Sequence, residues 1–356
     1  MADGRGLTWL LSAGIGLVVL GLATCTLGVI DENSSPAAEA VPGGGSIHGV
    51  LFIAVGPDGT LYRTEGDNAD QIVRVEGDGR TTVVASGISN LGGIAVDSHR
   101  NVFVSEGPGG GVPGPTPTGQ IVEFRPDGTQ QVVATIASPT SLAVDEQGVI
   151  YVVASLNVER VIAGAPPQIV SQDPQIDASA VAAGPSGELY ITDGEHNAVW
   201  RRDPSGHLQL LVQPGLVQEP TYLAVDSRGN IYICQTSFAV TPLGIFGSQR
   251  AFQVPVLVID SKGTIHRLGV RGDASIFATW DIAVSPAGDL YLNDGSSVSK
   301  LRAPVQLVPV ETRKFWALIL AVGAVLIGVG LALAGSALLI HTTEARSPAY
   351  GDRPCG

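Results

Sequence analysis

Apolar positions are distributed along this chain in two ways. At each end they run together: residues 7–30 (LTWLLSAGIGLVVLGLATCTLGVI) and 315–340 (FWALILAVGAVLIGVGLALAGSALLI) pass without a charge. Between about 47 and 310 they come in short runs separated by turns rich in Gly, Asp, Ser and Pro. The terminal runs have the length of membrane-crossing helices, since about 20 apolar residues span the hydrocarbon core. The short runs have the grammar of strands joined by tight turns.

The short runs repeat. A phrase of the form apolar-Ala-Val, turn, apolar-aromatic reads IAVGPDGTLY from Ile53, IAVDSHRNVF from Ile94 and LAVDEQGVIY from Leu142. It returns as VAAGPSGELY from Val181, LAVDSRGNIY from Leu223 and IAVSPAGDLY from Ile282. The central alanines fall at 54, 95, 143, 182, 224 and 283. Each phrase is two strands and a turn: Asp97, Asp145 and Asp226 can cap the turn's backbone donors, and a glycine supplies positive φ. A third run follows, such as QIVRV from Gln71 or QIVEF from Gln120, and then a fourth, such as TTVVA from Thr81. Four strands in roughly 40–45 residues make a propeller blade. Six copies predict an all-β fold, a six-bladed β-propeller of four-stranded blades over residues 47–310.

The units resemble NHL repeats, and more broadly the six-bladed superfamily of the gluconolactonase and strictosidine-synthase-like families. The stretch from Thr192 to Trp200, TDGEHNAVW, is similar to the NHL consensus. The resemblance implies the fold; it does not imply one activity, because this architecture hosts many.

The terminal runs set the expected organisation: a transmembrane helix over 7–30, a linker over 31–46, the propeller, a second transmembrane helix over 315–340, and a short tail over 341–356. Leu22-Ala23-Thr24-Cys25 loosely matches a lipobox, so a signal cleaved or lipidated at Cys25 is the alternative to an uncleaved first helix. Lys and Arg near the two segments nearly balance, and long domains translocate largely regardless of charge. The expected location is the cell membrane, crossed twice, with the propeller extracytoplasmic and both termini cytoplasmic. The formal net charge of −13, from 33 acidic against 20 basic residues, argues against a nucleic-acid partner. The partners expected are the lipid bilayer and other membrane protein subunits.

Chain polarity places the candidate site. The first strand of each blade crosses from one face to the other and the chain alternates afterwards. Second-to-third connections and blade-to-blade connectors therefore share a face, and both chain ends are expected to leave there too. Two second-to-third connections are long: 107–119 (GPGGGVPGPTPTG) and 235–255, which carries Phe238, Leu243, Ile245 and Phe246. Such loops are often functional, and these four residues are candidate partner or membrane contacts; the competing reading is that they cover their own propeller. Oxygen-bearing residues follow the second strands: Glu65, Asp67, Glu106, Asn157, Asp193, Gln235, Asn293 and Asp294. Of these, Glu65, Glu106, Asn157, Asp193 and Asp294 are candidate ligands for Ca2+ or another divalent cation, since hard cations take oxygen donors. The alternative is that they cap loops. The gluconolactonase-like enzymes hold a divalent metal with a Glu, Asn and Asp set, so the resemblance adds a metal-dependent hydrolase or lactonase as a second functional expectation.

Little else is chemical. No two of the six histidines have ligand spacing, three cysteines make no disulfide framework, and no phosphate loop or nucleophile elbow occurs. No catalytic residue is assigned. The leading expectation is a membrane-anchored propeller that binds or assembles.

Overall fold

The computed structural model describes residues 38–41, 52–66, 70–107, 118–171, 173, 176–235, 256–269, 279–295 and 297–309. The chain divides into two compact units, Met1–Val308 and Pro309–Gly356. The first contains the fold below; of the second, only Pro309 is described. Segments 7–30 and 315–340 lie outside the described residues, among which no helix is long and apolar enough to cross a membrane.

After a two-residue strand β1 (Glu39–Ala40) the chain builds its sheets in order. Blade 1 is β2 (Ile53–Val55), β3 (Leu61–Glu65), β4 (Gln71–Val75) and β5 (Thr81–Ser86). Blade 2 is β6 (Leu91–Val96), β7 (Val102–Glu106), β8 (Thr118–Phe124) and β9 (Gln130–Ala137). Blade 3 is β10 (Pro139–Val144), β11 (Ile150–Ala154), β12 (Asn157–Val161) and β13 (Gln168–Ile169). Blade 4 is β14 (Ala178–Ala183), β15 (Leu189–Asp193), β16 (Ala198–Arg202) and β17 (Leu208–Val212). Blade 5 is β18 (Pro220–Val225), β19 (Ile231–Gln235), β20 (Leu257–Ile259) and β21 (Ile265–Gly269). Blade 6 begins with β22 (Asp281–Val284), β23 (Leu290–Asn293) and β24 (Val298–Leu301). The inner strands touch in cyclic order, β22 meeting β2, so the ring is closed and the fold is a six-bladed β-propeller.

The turns form as their residues dictate. Asp226 Oδ1 accepts the amides of Arg228 (2.9 Å) and Asn230 (2.8 Å), and Asp97 and Asp145 do the same in their blades. Gly229 supplies φ +80° at the fourth turn position; in blade 2 Arg100 occupies that position at φ +66°. The core lies in slabs between adjacent blades. Phe52, Tyr62, Ile72, Val102, Val104 and Phe124 fill the 1–2 seam, and Ile121, Leu142, Ile150 and Val152 the 2–3 seam. Each fully buried aliphatic side chain contributes about 1.5–3 kcal/mol.

Two features differ from the sequence expectation. The outer strand of blade 6 comes from β1, inside the 31–46 segment read as a linker, and a final strand, β25 (Gln306–Pro309), adds a fifth strand to blade 5 beyond β21. The entry into blade 6 also lies on the opposite face from the one expected. β1 runs antiparallel to β24 with Glu39 opposite Lys300 and Ala40 opposite Ser299. β24 ends at Leu301, opposite Leu290 beside the first-to-second turn. The chain therefore enters blade 6 on the turn face, where β24 also ends and Arg302 pairs with Glu39 at 3.1 Å. Borrowing the sixth blade's outer strand from the N-terminal side adds one crossing at the start, which moves the entry to the other face; after β24 the chain goes on to β25 in blade 5.

Candidate functional site at the propeller mouth

The second-to-third connections open on the mouth face, and one register position dominates it. The last residue of the second strand, or the one just after it, is Glu65, Glu106, Ala154, Asp193, Gln235 and Asp294 in blades 1 to 6. Four of the five candidate cation ligands hold this position. Asn157 does not: blade 3 turns tightly through Ser155 and Leu156, both at positive φ, and Asn157 starts β12 instead.

Each of these groups is engaged by its own blade. Glu65 Oε1 accepts Arg63 Nε at 2.9 Å, and the Arg63 side chain is fully buried. Glu106 Oε2 accepts Gln120 Nε2 at 2.7 Å. Asp294 accepts the amide (2.7 Å) and hydroxyl (3.0 Å) of Ser297. Asn157 Nδ2 donates to the Ser155 carbonyl at 3.1 Å. Among the described residues no three His, Cys, Asp or Glu side chains come together as a metal-holding group. Asp67 and the four apolar candidates Phe238, Leu243, Ile245 and Phe246 lie outside the described residues.

Asp193 has a different partner. It is fully buried, accepts the His196 amide at 3.0 Å, and holds His196 Nδ1 3.0 Å from both carboxylate oxygens. The imidazole is half exposed. A buried carboxylate that fixes Nδ1 leaves Nε2 outward, an arrangement suited to accepting a proton or a ligand. The histidine was visible in the sequence only as part of the repeat motif.

One position inward, small hydroxyls fasten blade to blade. Ser105 Oγ donates to the Thr140 carbonyl (2.5 Å), and Thr192 Oγ1 donates to the Thr221 carbonyl (2.8 Å) while accepting the Ala180 amide (2.9 Å). On the inner strands the matching device is Ser141 Oγ, which accepts the Val181 amide at 3.3 Å across the 3–4 seam. At the closing seam the same position is Asp281. Its carboxylate accepts Ile53 N–H across the ring and Ile282 N–H beside it, both at 2.8 Å. Burial raises the Asp281 pKa to about 7 against these two hydrogen bonds. Burial and then Asp281 push the Tyr222 phenol and the Cys234 thiol up.

Phe52 of blade 1 and Tyr222 of blade 5 meet edge to face, ring centroids 5.7 Å apart, although blade 6 separates them in sequence order. On the opposite side Gly92 and Gly93 let blade 2 approach blade 3 closely; a Cβ on Gly92 would sit 2.8 Å from the Thr140 Cα. Trp280, 56% exposed, stands beside the Gly295 turn. Sequence reading missed Asp281 and Trp280. The available signal was that Asp281 stands where the other repeats carry Phe52, Gly93, Ser141, Ala180 and Tyr222.

These features define the class: a closed six-bladed β-propeller with a mouth of self-engaged polar groups. No family model and no curated protein sequence matches the chain. Solved structures do. A candidate gluconolactonase superposes with a TM-score of 0.55 at 14% identity, over 79% of this chain and 99% of its own. A streptogramin B lyase gives 0.53 at 14% identity, covering 77% and 98%. A chain of a nidogen/laminin complex gives 0.50 at 14% identity, covering 70% and 95%. At these identities the likeness is one of fold.

Proposed function

We propose that this protein is a membrane-anchored, extracytoplasmic propeller that serves as a binding and assembly module, an accessory subunit of a membrane protein complex contacted through its mouth face. Trp280 carries this reading. A large indole exposed at the mouth gives a partner an amphipathic surface to bury, the kind of residue that dominates interface energetics. Long insertions leave β7 and β19 on the same face, and the second contains Phe238, Leu243, Ile245 and Phe246. The uncharged segments 7–30 and 315–340 supply the anchors. A nidogen/laminin complex chain of similar fold belongs to a protein–protein assembly.

The test is purification from native membranes in mild detergent with identification of every bound protein. Trp280→Ala and the triple change Leu243→Ser, Ile245→Ser, Phe246→Ser should each lose the partner while the propeller's melting temperature holds. A partner retained at wild-type stoichiometry by both variants refutes the mouth as the contact face. A second reading, a divalent-metal-dependent hydrolase or lactonase, is favoured by the Asp193–His196 pair. It requires stoichiometric Ca2+ or another divalent cation by elemental analysis and lactone turnover lost in His196→Ala.

A further inference from the structure

The outer end of the seam between blades 3 and 4 carries a chemistry absent from the mouth. Strand alternation settles which side chains face it. Tyr151, Val170, Trp200 and Leu208 pack in this seam around Val158 and Leu189. Arg160 lies opposite Tyr151 and Arg202 opposite Leu189, so both arginines point into the same seam from opposite blades. Burial and then Asp145 raise the Tyr151 phenol pKa, and the Arg160 and Arg202 guanidiniums both oppose that shift.

Neither guanidinium has a carboxylate partner among the described residues. Arg202 donates only to carbonyls, Nε to Val170 (3.0 Å) and Nη1 to Asp203 (3.4 Å). Two donors buried there, Arg160 Nε and Trp200 Nε1, have no acceptor. On the Arg202 side of the seam opens a cleft of about 360 Å3 lined by Ile169, Val170, Arg202, Gly206 and Leu208. Buried N–H groups without acceptors are rare and costly. In a chain with 33 acidic residues, two facing arginines without a carboxylate are not explained by a shortage of carboxylates. The carboxylate beside the phenol, Asp145, is taken up by the amides of Gln147 and Val149 and by the Tyr151 hydroxyl and forms no ion pair with either arginine, and the planar guanidinium fork matches an oxyanion.

We propose that the outer end of the blade 3–blade 4 seam is an oxyanion-binding site, in which Arg160, Arg202 and the Trp200 indole N–H donate to a phosphate or carboxylate group of a ligand. The site lies near the turn face, since Arg202 is paired with the first residue of β15 and Gly206 belongs to the adjoining turn. It is therefore separate from the mouth and does not depend on the function proposed for it.

The full-length chain in detergent micelles is titrated with inorganic phosphate and, separately, acetate, with sodium chloride holding ionic strength constant. Tryptophan emission and melting temperature are the readouts. A saturable emission change and a rise in melting temperature are expected. Arg160→Gln and Arg202→Gln should each raise the midpoint about tenfold, the effect of losing one charge-assisted hydrogen-bonding group. Trp200→Phe should lose the emission change and keep the thermal one. Should a glutamine variant fail to fold, Arg160→Lys and Arg202→Lys keep the charge, lose the fork, and should still shift the midpoint. Saturation by phosphate alone assigns phosphate-bearing ligands, and saturation by acetate assigns carboxylates. A response to both anions that never saturates, or midpoints unchanged in every arginine variant, overturns the site.

Discussion

Asp281 makes a quantitative prediction about pH. Its carboxyl is buried, titrates near 7 in the folded protein, and has an ordinary value of 3.8. Between pH 4 and 7 the folded protein therefore holds a proton that the unfolded chain has released. Stability contributed by this group is fully present below about pH 4 and is lost as pH rises towards 7. The difference is worth on the order of 4 kcal/mol. The groups that titrate the other way, such as Asp58, Asp203, Asp260 and Asp289, have pKa values held below 3.8 and act at lower pH, outside this window. Ile53 N–H and Ile282 N–H reach different oxygens of the carboxylate, so Asp281→Asn keeps an acceptor for only one of them and cannot ionise. Its new amide donor, if left without an acceptor, costs about 1–3 kcal/mol. The variant should thus be less stable than wild type at pH 4.5 and equal or more stable at pH 8. The assay is urea unfolding followed by far-ultraviolet circular dichroism at half-unit steps from pH 4 to 8. Two stability curves that run parallel across that range would refute the assignment of Asp281 as a buried carboxyl at the closing seam.

Other positions give sharper local tests. Thr192→Val removes the hydroxyl that joins Ala180 to Thr221, and should cost about 1–3 kcal/mol in chemical denaturation, because buried backbone groups lose a partner. Gly119→Ala should destabilise by about 1–3 kcal/mol or more, read as a lowered melting temperature: its Cβ would fall 2.6 Å from Pro139 Cδ and closer still to the Glu106 carbonyl oxygen. Val41→Asp should loosen blade 6, because Val41 packs on the 6–1 seam and its amide donates to the Val298 carbonyl at 2.9 Å. Limited proteolysis should then cut near residue 41 before any site in blades 2 to 4, and cutting no faster than wild type would show that β1 is not needed to hold the blade.

The sequence alone determined the repeat. Apolar period, aspartate-capped turns and glycines at one turn position are local properties, and local properties are written in consecutive residues. They were enough to give six sheets, their strands and the face on which the long connections open. They were also enough to place Glu65, Glu106, Asp193 and Asp294 at that face, because strand length counts residues to the mouth. What the tertiary structure decided were relations between residues far apart in the chain. Glu39 reaches Lys300 and Arg302, Ile53 bonds Asp281, and Phe52 meets Tyr222 only once the ring closes. A two-residue strand such as β1 has too little pattern to be read, yet it reversed the face on which the chain enters. The oxygen-rich positions looked alike in sequence; folded, they are engaged by different partners, Glu65 by Arg63, Glu106 by Gln120, Asp193 by His196 and Asp294 by Ser297. The arginines of the 3–4 seam carried no motif, and only the approach of two blades set them facing one seam. Closing a ring brings together side chains that no local pattern pairs, and for that reason the chemistry was less legible than the fold.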